Sequence, residues 1–336
     1  MIIMTNWLTG WGFRKSHIIS AAAGAGTNYQ VCIKVYYGNG VDGTEVLGDM
    51  TIGKVYLGGN GEDTSFGDVR FTDNDGDTEL DYWMEEHTDS DYALFWVEVK
   101  DDLTTDPVTI YIYYGKADTN TTSNGPNTFS DLFDHFDTLD LTKWTVSGSV
   151  AVASSIVTCT RTAGTDAYIK SKSTFQYKAL RALWKYAVYT NYQRLGFNSA
   201  AHGSPPCMTF VTYSAKLMTW CYVTGSEFGD FGAVGAGSFV KADLKRKNGE
   251  ARFVHNDTTL NAETNQISTS SLSIILEADD DGTSGPIAYA DWILIRSYVS
   301  PEPAHSTWGD EEGEEAPVGV KSSGSIVVIA EALLFD

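Results

Sequence analysis

The sequence predicts an all-β protein made of two β-sandwich domains of the jelly-roll type, followed by a C-terminal strand on an acidic linker. Aromatic residues make up 12% of the 336 residues, and 32 glycines stand against only 6 methionines, a composition that favours strands and turns over helices. Short segments rich in β-branched and aromatic residues alternate with turns rich in Gly, Asn and Asp. The length corresponds to about two domains of ~150 residues each.

The first domain is predicted over residues 1–125. Apolar and polar residues alternate in residues 94–99 and 108–114, as they do in half-buried strands. Residues 118–127 are polar and turn-rich, and this stretch therefore predicts the domain boundary. The predicted strands of this domain are residues 29–37, 54–57, 69–72, 80–85, 92–99 and 108–114.

The second domain is predicted over residues 126–309. It begins with an aromatic and acidic segment, residues 129–144, and about ten strands follow in roughly 180 residues, as in a jelly roll. The predicted strands are residues 151–160, 167–171, 182–189, 208–213, 217–223, 239–246, 251–255, 272–277 and 288–297.

The composition changes sharply after the second domain. Residues 310–324 are predicted to be an acidic flexible linker, because the run of Asp, Glu and Gly at its start cannot bury apolar surface. Residues 325–336 are strongly apolar but too few to span a membrane, so they are predicted to pair as a strand with a sheet edge of this chain or of a neighbour. The apolar residues of this assembly strand are Ile326, Val327, Val328, Ile329, Leu333, Leu334 and Phe335.

The net charge of −21 limits the classes of partner. It argues against non-specific binding to nucleic acid and to anionic membranes, because both attract positively charged surfaces. No segment near Met1 resembles a secretory signal, and no segment approaches the ~20 apolar residues of a membrane span. We therefore expect neither binding to nucleic acid nor insertion into a membrane.

Four cysteines are too few and too scattered for a disulfide framework, and no CxxC pair indicates zinc. Cys207 and Cys221 flank a predicted turn at residues 213–216, and a hairpin centred on Ser214 would place them opposite one another. This placement permits a cross-strand disulfide. The alternative is two buried thiols that act as small apolar side chains.

Two acidic loops are candidates for calcium, and no other cofactor is expected. Asp73, Asp75 and Asp77 provide the oxygen ligands that calcium prefers, but the full EF-hand spacing is missing, so a plain Asx turn is the alternative. Asp279 and Asp281 form the second candidate loop, with a solvated hairpin turn as its alternative.

No motif indicates catalysis. The Glu-x-Asp-x-x-Glu pattern of jelly-roll glycosidases is absent, and the six histidines show neither HxH nor HExxH spacing. Neither a GxSxG motif nor a Walker loop is present. We therefore expect a protein that is not an enzyme.

Aromatic residues on two predicted strands provide the candidate ligand-binding site. Trp184, Tyr186, Trp220 and Tyr222 could form a platform on which the apolar face of a sugar ring stacks. The alternative is that alternate members of this set fill the sandwich core.

Two parts of the chain resemble known families. Residues 11–15, 68–76, 80–85 and 110–115 resemble an uncharacterised domain family of archaeal, bacterial and viral surface proteins, and this resemblance covers roughly residues 7–125. It implies no established chemistry.

The second resemblance covers roughly residues 128–310. Residues 133–137 and 139–144 at the start, and 290–296 and 300–303 at the end, resemble the boundary motifs of concanavalin-A-like or laminin-G-like jelly rolls. This resemblance implies a sugar-binding or adhesive fold.

These observations favour a structural or adhesive surface protein. The leading hypothesis is a virion component (capsid decoration, turret, spike or fibre) or an extracellular filament subunit that assembles through its C-terminal strand. Its partners would be further copies or other surface or virion proteins, and its location the virion surface, the extracellular space or the cell surface. The first alternative is a carbohydrate-binding module that recognises a cell-surface glycan. The second is a polysaccharide hydrolase or lyase.

Overall fold

The computed structural model describes residues 6–61, 63–162, 164–186, 192–201, 203–214, 216–232, 237–279 and 287–314. In this part of the chain, strands account for almost all regular secondary structure, and two β-sandwich bodies are formed. The predicted all-β class with two sandwiches is confirmed. None of the described helices is long and apolar enough to cross a membrane.

The first sandwich has eight strands from the N-terminal part of the chain. One sheet has the order β3-β4-β2-β7-β6, and the facing sheet contains β1, β8 and β5. Their inner faces share one apolar core that includes Ile33, Phe71 and Phe95. The strands are β1 (Phe13–Ile19), β2 (Tyr29–Tyr36), β3 (Gly43–Leu47), β4 (Met50–Tyr56), β5 (Arg70–Thr72), β6 (Tyr82–Thr88), β7 (Tyr92–Val99) and β8 (Val108–Tyr114).

The segment that the sequence predicts as the boundary is held against the first sandwich. The backbone N–H of Thr122 donates to the Tyr82 hydroxyl at 3.0 Å, and Arg70 donates to the carbonyl of Asn120 at 2.7 Å. A single helical turn, α1 (Gly125–Thr128), follows, and the side chain of Asn124 caps its N-terminus.

The second sandwich packs a seven-stranded sheet, β10-β13-β22-β15-β16-β17-β18, against an eight-stranded sheet that contains β11-β12-β23-β14-β19-β20-β21 and β9. Trp184, Phe210 and Ile293 belong to its continuous core. The strands are β9 (Leu132–Asp134), β10 (Trp144–Ser147), β11 (Ser149–Ala153), β12 (Ile156–Thr160), β13 (Ala167–Ser171), β14 (Lys178–Tyr186), β15 (Gln193–Asn198), β16 (Cys207–Tyr213), β17 (Lys216–Tyr222), β18 (Ser226–Asp230), β19 (Val240–Lys247), β20 (Glu250–His255), β21 (Thr258–Glu263), β22 (Ser273–Ala278) and β23 (Ile287–Ser297).

After the second sandwich the chain returns to the first. Strands β24 (His305–Trp308) and β25 (Glu312–Gly313) both pair antiparallel with β1. The second sandwich is therefore inserted between β8 and β24, whereas the sequence places 126–309 in one domain and residues 310–324 in a flexible linker. Residues 310–314 are ordered here because their charges have partners. Glu312 pairs with Arg14 at 2.7 Å, and Glu311 accepts from the Tyr114 hydroxyl at 2.7 Å. The predicted assembly strand, residues 325–336, lies outside the described residues.

The two sandwiches meet through an apolar cluster. Trp83 and Trp96 from the first sandwich contact Phe129, Phe133 and Trp292, and Trp83 packs edge-to-face on Trp292 with ring centroids 5.1 Å apart. Because β7 faces the core with one side and this cluster with the other, it is buried on both sides.

A group of charged side chains, which we call the junction cluster (Glu85, Glu86, Arg181, Lys241 and Asp257), flanks the apolar contact. The side chains of Glu85 and Arg181 are buried, and those of the other three are partly exposed. Glu85 accepts from Arg181 at 2.8 Å and from Lys241 at 2.9 Å, and its side chain is 0% exposed. Glu86 also contacts Lys241, at 2.9 Å. Neighbouring strand residues normally point to opposite faces, but the register of β6 shifts between Met84 and Glu86, so both carboxylates reach one lysine.

Candidate functional site

The candidate site lies on the outer face of the seven-stranded sheet. Side chains alternate along β15 and β16, so that Leu195, Phe197 and Phe210 enter the core, while Arg194 and Asn198 point to the opposite face. In β17 the same alternation sends Leu217 and Cys221 inward and Trp220 and Tyr222 outward. On this face Trp220 and Tyr222 are partly exposed, whereas Arg194 and Asn198 are buried.

Three outward aromatic side chains form what we call the aromatic strip (Trp220, Tyr222 and Phe228). Trp220 lies directly opposite Phe228 in the register of β17 and β18, and their ring centroids are 5.6 Å apart with planes inclined by 15°. Tyr222 continues the strip at 5.9 Å from Trp220. Phe228 is 54% exposed, so the strip presents apolar ring surface to solvent.

Gly203 covers part of the aromatic strip. Its backbone adopts a left-handed conformation with φ of +59°, which favours glycine. A Cβ atom at this position would collide with the six-membered ring of Trp220 and would lie 3.2 Å from Nε of Arg194. The glycine thus allows the backbone to approach both side chains closely.

Next to the strip lies a buried charged group formed by Arg194, Glu277 and Asp279. One guanidinium nitrogen of Arg194 donates to Glu277 at 2.9 Å and also to Asp279. Glu277 faces Arg194 directly in the register of β15 and β22. The guanidinium lies 5.4 Å from the ring centroid of Trp220, so the buried charged group lies directly against the aromatic strip.

Several buried polar atoms of this face have no hydrogen-bond partner among the described residues. They are Nε of Arg194, Nδ2 of Asn198 and Oγ1 of Thr209. Asn198 and Thr209 are both 0% exposed, and Thr209 is paired with Trp220 across β16 and β17. An unpaired buried polar group costs about 1–3 kcal/mol, so these atoms require a water molecule or a ligand.

The predicted aromatic platform is half correct in its placement. Trp220 and Tyr222 lie together on the outer face, as a platform requires. Trp184 and Tyr186 are 0% and 2% exposed and belong to the sandwich core, so including them in the platform is wrong. Trp184 and Tyr186 are two positions apart on β14, so both point into the core, and Lys185 between them points outward.

The predicted disulfide is wrong. All four cysteines are free and buried, and the hairpin pairs Cys207 with Tyr222 and Met208 with Cys221. A register displaced by one residue from the predicted one puts the two thiols on opposite faces of the sheet. Burial raises the pKa of Cys207 to about 12 and also raises that of Cys221, so both remain protonated thiols.

The predicted calcium loops are organised differently. Asp75 accepts hydrogen bonds from the backbone N–H groups of Asp77 and Thr78 and from the Thr78 hydroxyl, which is the arrangement of an Asx turn. Hydrogen bonding lowers the pKa of Asp75, whereas burial raises that of Asp73. In the described ranges, no group of three or more His, Cys, Asp or Glu side chains could hold a metal ion. Asp279 is engaged by Arg194, and Asp281 lies outside the described residues.

Sequence reasoning missed the polar half of this face. Arg194, Asn198 and Thr209 lie on strands with no clear alternation, and nothing in the sequence marks them. One signal was available. Glu277 and Asp279 are two positions apart, so their side chains share one face if the segment is a strand.

Comparison with known proteins gives one family match. The model of the family described as Domain of unknown function (DUF2341) matches residues 65–147, a segment that runs from before β5 to the end of β10. Among curated proteins, no sequence matches this chain.

Several solved structures resemble about half of the chain. They include a β-1,3-1,4-glucanase (lichenase) from a mouse hindgut metagenome, 12% identical over 50% of this chain and 99% of that chain, with a TM-score of 0.40. The β-glucanase of Bacillus licheniformis is 11% identical over 50% of this chain and 98% of that chain, also with a TM-score of 0.40. The laminarinase catalytic domain of Thermotoga maritima is 10% identical over 50% of this chain and 97% of that chain, again at 0.40. At these values the likeness carries no argument about activity, and the function has to be inferred from the site.

Proposed function

We propose that this protein binds carbohydrate on the outer face of its seven-stranded sheet and does so without catalysing a reaction. The observation that carries the proposal is the position of the aromatic strip beside buried polar atoms that have no hydrogen-bond partner within the described part of the chain. A ligand site commonly combines apolar surface with a few fixed polar groups. This face offers both, directly against each other.

The chemistry of a sugar fits both parts of the face. The C–H groups on one face of a pyranose ring form an apolar surface that can pack on Trp220 or Phe228. The hydroxyl groups at the ring edge both donate and accept hydrogen bonds. The amide of Asn198, the hydroxyl of Thr209 and the guanidinium of Arg194 are buried beside the rings, so we propose that sugar hydroxyls reach them through bridging water or a local opening of this face.

The carboxylates of this face do not have the arrangement of a glycosidase. That reaction needs one carboxyl group that donates a proton and a second that stays ionised. Glu277 and Asp279 instead both accept hydrogen bonds from the same nitrogen of Arg194, so both carboxylates are engaged by one buried cation. A binding role is the better fit.

A glycan array followed by calorimetry with the best oligosaccharide tests the proposal. We expect Trp220→Ala to weaken binding at least tenfold, since a buried aromatic anchor contributes about 2 kcal/mol or more. Tyr92→Ala removes a partly buried aromatic side chain from the first sandwich and should leave binding unchanged. Absence of binding to every glycan, or equal binding by wild type and Trp220→Ala, would refute the proposal.

Assembly at a surface is the second candidate function. It is supported by the course of the chain, because the backbone of Glu314 is hydrogen-bonded to Gly12 beside β1, and the apolar residues 325–336 follow in sequence. The setting proposed for it is a virion surface or an extracellular filament. Light scattering of the full chain beside a version that ends at Glu315 tests it. A mass that rises with concentration for the full chain but not for the shortened version supports assembly through the tail. Monomeric masses for both proteins oppose it.

A further inference from the structure

The returning segment (residues 305–314) is attached to the first sandwich through a pair of histidines, of which His17 is buried and His305 is partly buried. Nε2 of His17 on β1 lies 2.9 Å from Nδ1 of His305 on β24. Nδ1 of His17 lies 3.3 Å from the carbonyl oxygen of Thr307. The ring of Trp308 stacks on His17 with centroids 3.7 Å apart, and His17 is 0% exposed.

The hydrogen bond of this pair requires at least one neutral imidazole. Because a carbonyl oxygen only accepts, Nδ1 of His17 must carry the hydrogen that faces Thr307. When both rings are neutral, Nε2 of His17 accepts from Nδ1–H of His305; one added proton still leaves a single hydrogen between the two nitrogens, because His305 can carry its own hydrogen on Nε2. When both rings are protonated, two N–H groups face each other across 2.9 Å and the bond between the strands is lost.

We propose that the returning segment is an acid-released element: proton uptake by His17 and His305 breaks their hydrogen bond and frees β24 and β25 from the edge of β1. The other bonds of the segment point in the same direction. Glu312 pairs with Arg14, and Glu311 accepts from Tyr114, so these two side-chain attachments of the segment are polar contacts at its surface rather than apolar packing in a core.

The charges around the pair do not stabilise an imidazolium sufficiently to cancel this effect. Glu302 is the acidic group that faces His305, and it is already bound by Arg296 at 2.6 Å and by Lys245 at 3.2 Å. The β8 neighbour of His17 is Ile110, and the β4 neighbour of His305 is Gly53, neither of which is charged. Near Trp308, the Lys15–Asp42 ion pair, 2.8 Å long, contributes no net charge.

Burial lowers the pKa of His305 to about 4 and lowers that of His17 well below its usual range. Once the segment is released, the imidazoles of His17 on β1 and of His305 both titrate near ~6.5. A group whose pKa is lower in the closed state favours the open state below the ordinary pKa. Each histidine therefore shifts the equilibrium toward release about tenfold per pH unit below ~6.5. For His305 the effect ends near pH 4 and amounts to about 300-fold.

Hydrogen exchange of the full chain, measured at pH 7 and pH 4.5 and corrected for the intrinsic rate, tests the proposal. The amides of Gly309 and Glu314, which donate to Ser16 and Gly12, report on the returning segment, and those of β14 report on the second sandwich. We expect the protection of residues 305–314 to fall at least a hundredfold at pH 4.5 while β14 stays protected.

His305→Gln is the diagnostic variant, because its amide can still donate to His17 but does not titrate. We expect it to reduce the pH dependence at least tenfold, whereas His135→Gln, which changes an exposed histidine on the second sandwich, should leave it unchanged. Protection of residues 305–314 that is equal at both pH values overturns the proposal. So does a loss at pH 4.5 that is as large in His305→Gln as in wild type, or one shared by β14. If His305→Gln already lowers the protection at pH 7, the variant is set aside. The proposal is then decided by the wild type alone, from the change in protection of residues 305–314 compared with that of β14.

Discussion

Glu85 lies at the centre of the junction cluster, and its replacement by alanine should destabilise the contact between the two sandwiches. The change leaves Arg181 and Lys241 without their shared carboxylate and removes the acceptor of the Trp96 indole N–H, which is 2.7 Å away. Breaking a buried ion pair by removing one partner costs about 3–5 kcal/mol when the remaining charge stays uncompensated. Here Asp257 still pairs with Arg181 at 2.9 Å and Glu86 with Lys241 at 2.9 Å, so we expect a loss in the free energy of unfolding near the lower end of this range, about 3 kcal/mol.

Guanidinium denaturation at pH 7, followed by tryptophan fluorescence, measures this loss. Glu45→Ala is the matched control, since Glu45 pairs with Lys34 at 3.2 Å on a more exposed surface and should contribute at most about 1 kcal/mol. The two sandwiches could unfold in separate transitions. In that case the loss in the free energy of unfolding is measured from the transition that the substitution shifts. If Glu85→Ala costs no more than Glu45→Ala, the account of the junction is wrong.

The same carboxylate makes the junction sensitive to acid. Although burial opposes ionisation, the Arg181 and Lys241 charges prevail and lower the pKa of Glu85 to about 2 from 4.5. A lowered carboxylate pKa means that its stabilising effect is complete above pH ~4.5 and is lost as the pH falls toward 2. The loss should amount to about 3 kcal/mol. Glu85→Gln should lack this part of the pH dependence of stability. A wild-type free energy of unfolding that stays constant from pH 4.5 to 2.5 would contradict the prediction.

Two further predictions concern the seven-stranded sheet. Gly203→Ala should weaken glycan binding and lower stability by about 1–3 kcal/mol, because the added methyl group collides with Trp220 and the backbone is left-handed there; calorimetry and denaturation measure the two effects, and unchanged binding would contradict the contact. Cys207 and Cys221 should resist a thiol reagent in the folded protein and react after unfolding without a reductant; an intact-mass measurement that shows one thiol pair oxidised would contradict the observed register.

The sequence was sufficient for strands with regular alternation of apolar and polar residues. Residues 92–99 and 108–114 were predicted as strands with the same ends as β7 and β8. β1 was not predicted, because Arg14, Lys15 and His17 give it a polar composition. These side chains are nevertheless buried, since their partners come from segments far away in the sequence. No local pattern shows that a charge will be compensated by a distant strand.

The candidate site could be predicted only in its aromatic part. Trp220 and Tyr222 were identified because large aromatic residues two positions apart share one face of a strand. The same reasoning failed for Trp184 and Tyr186, because alternation does not tell which face of a strand becomes the core. The predicted disulfide failed for a related reason: its hairpin register was one residue off, and such a shift changes the face of every side chain.

The account's central claim is that a glycan binds on the aromatic strip, and a structure of the complex with the best ligand from the array tests it most directly. We predict a sugar ring within about 4 Å of Trp220 or Phe228, with hydroxyl groups hydrogen-bonded to Asn198 or Arg194. A glycan found instead in the cleft of about 350 Å³ that Tyr29, Asp49 and Arg252 line, with the aromatic strip empty, would contradict the claim.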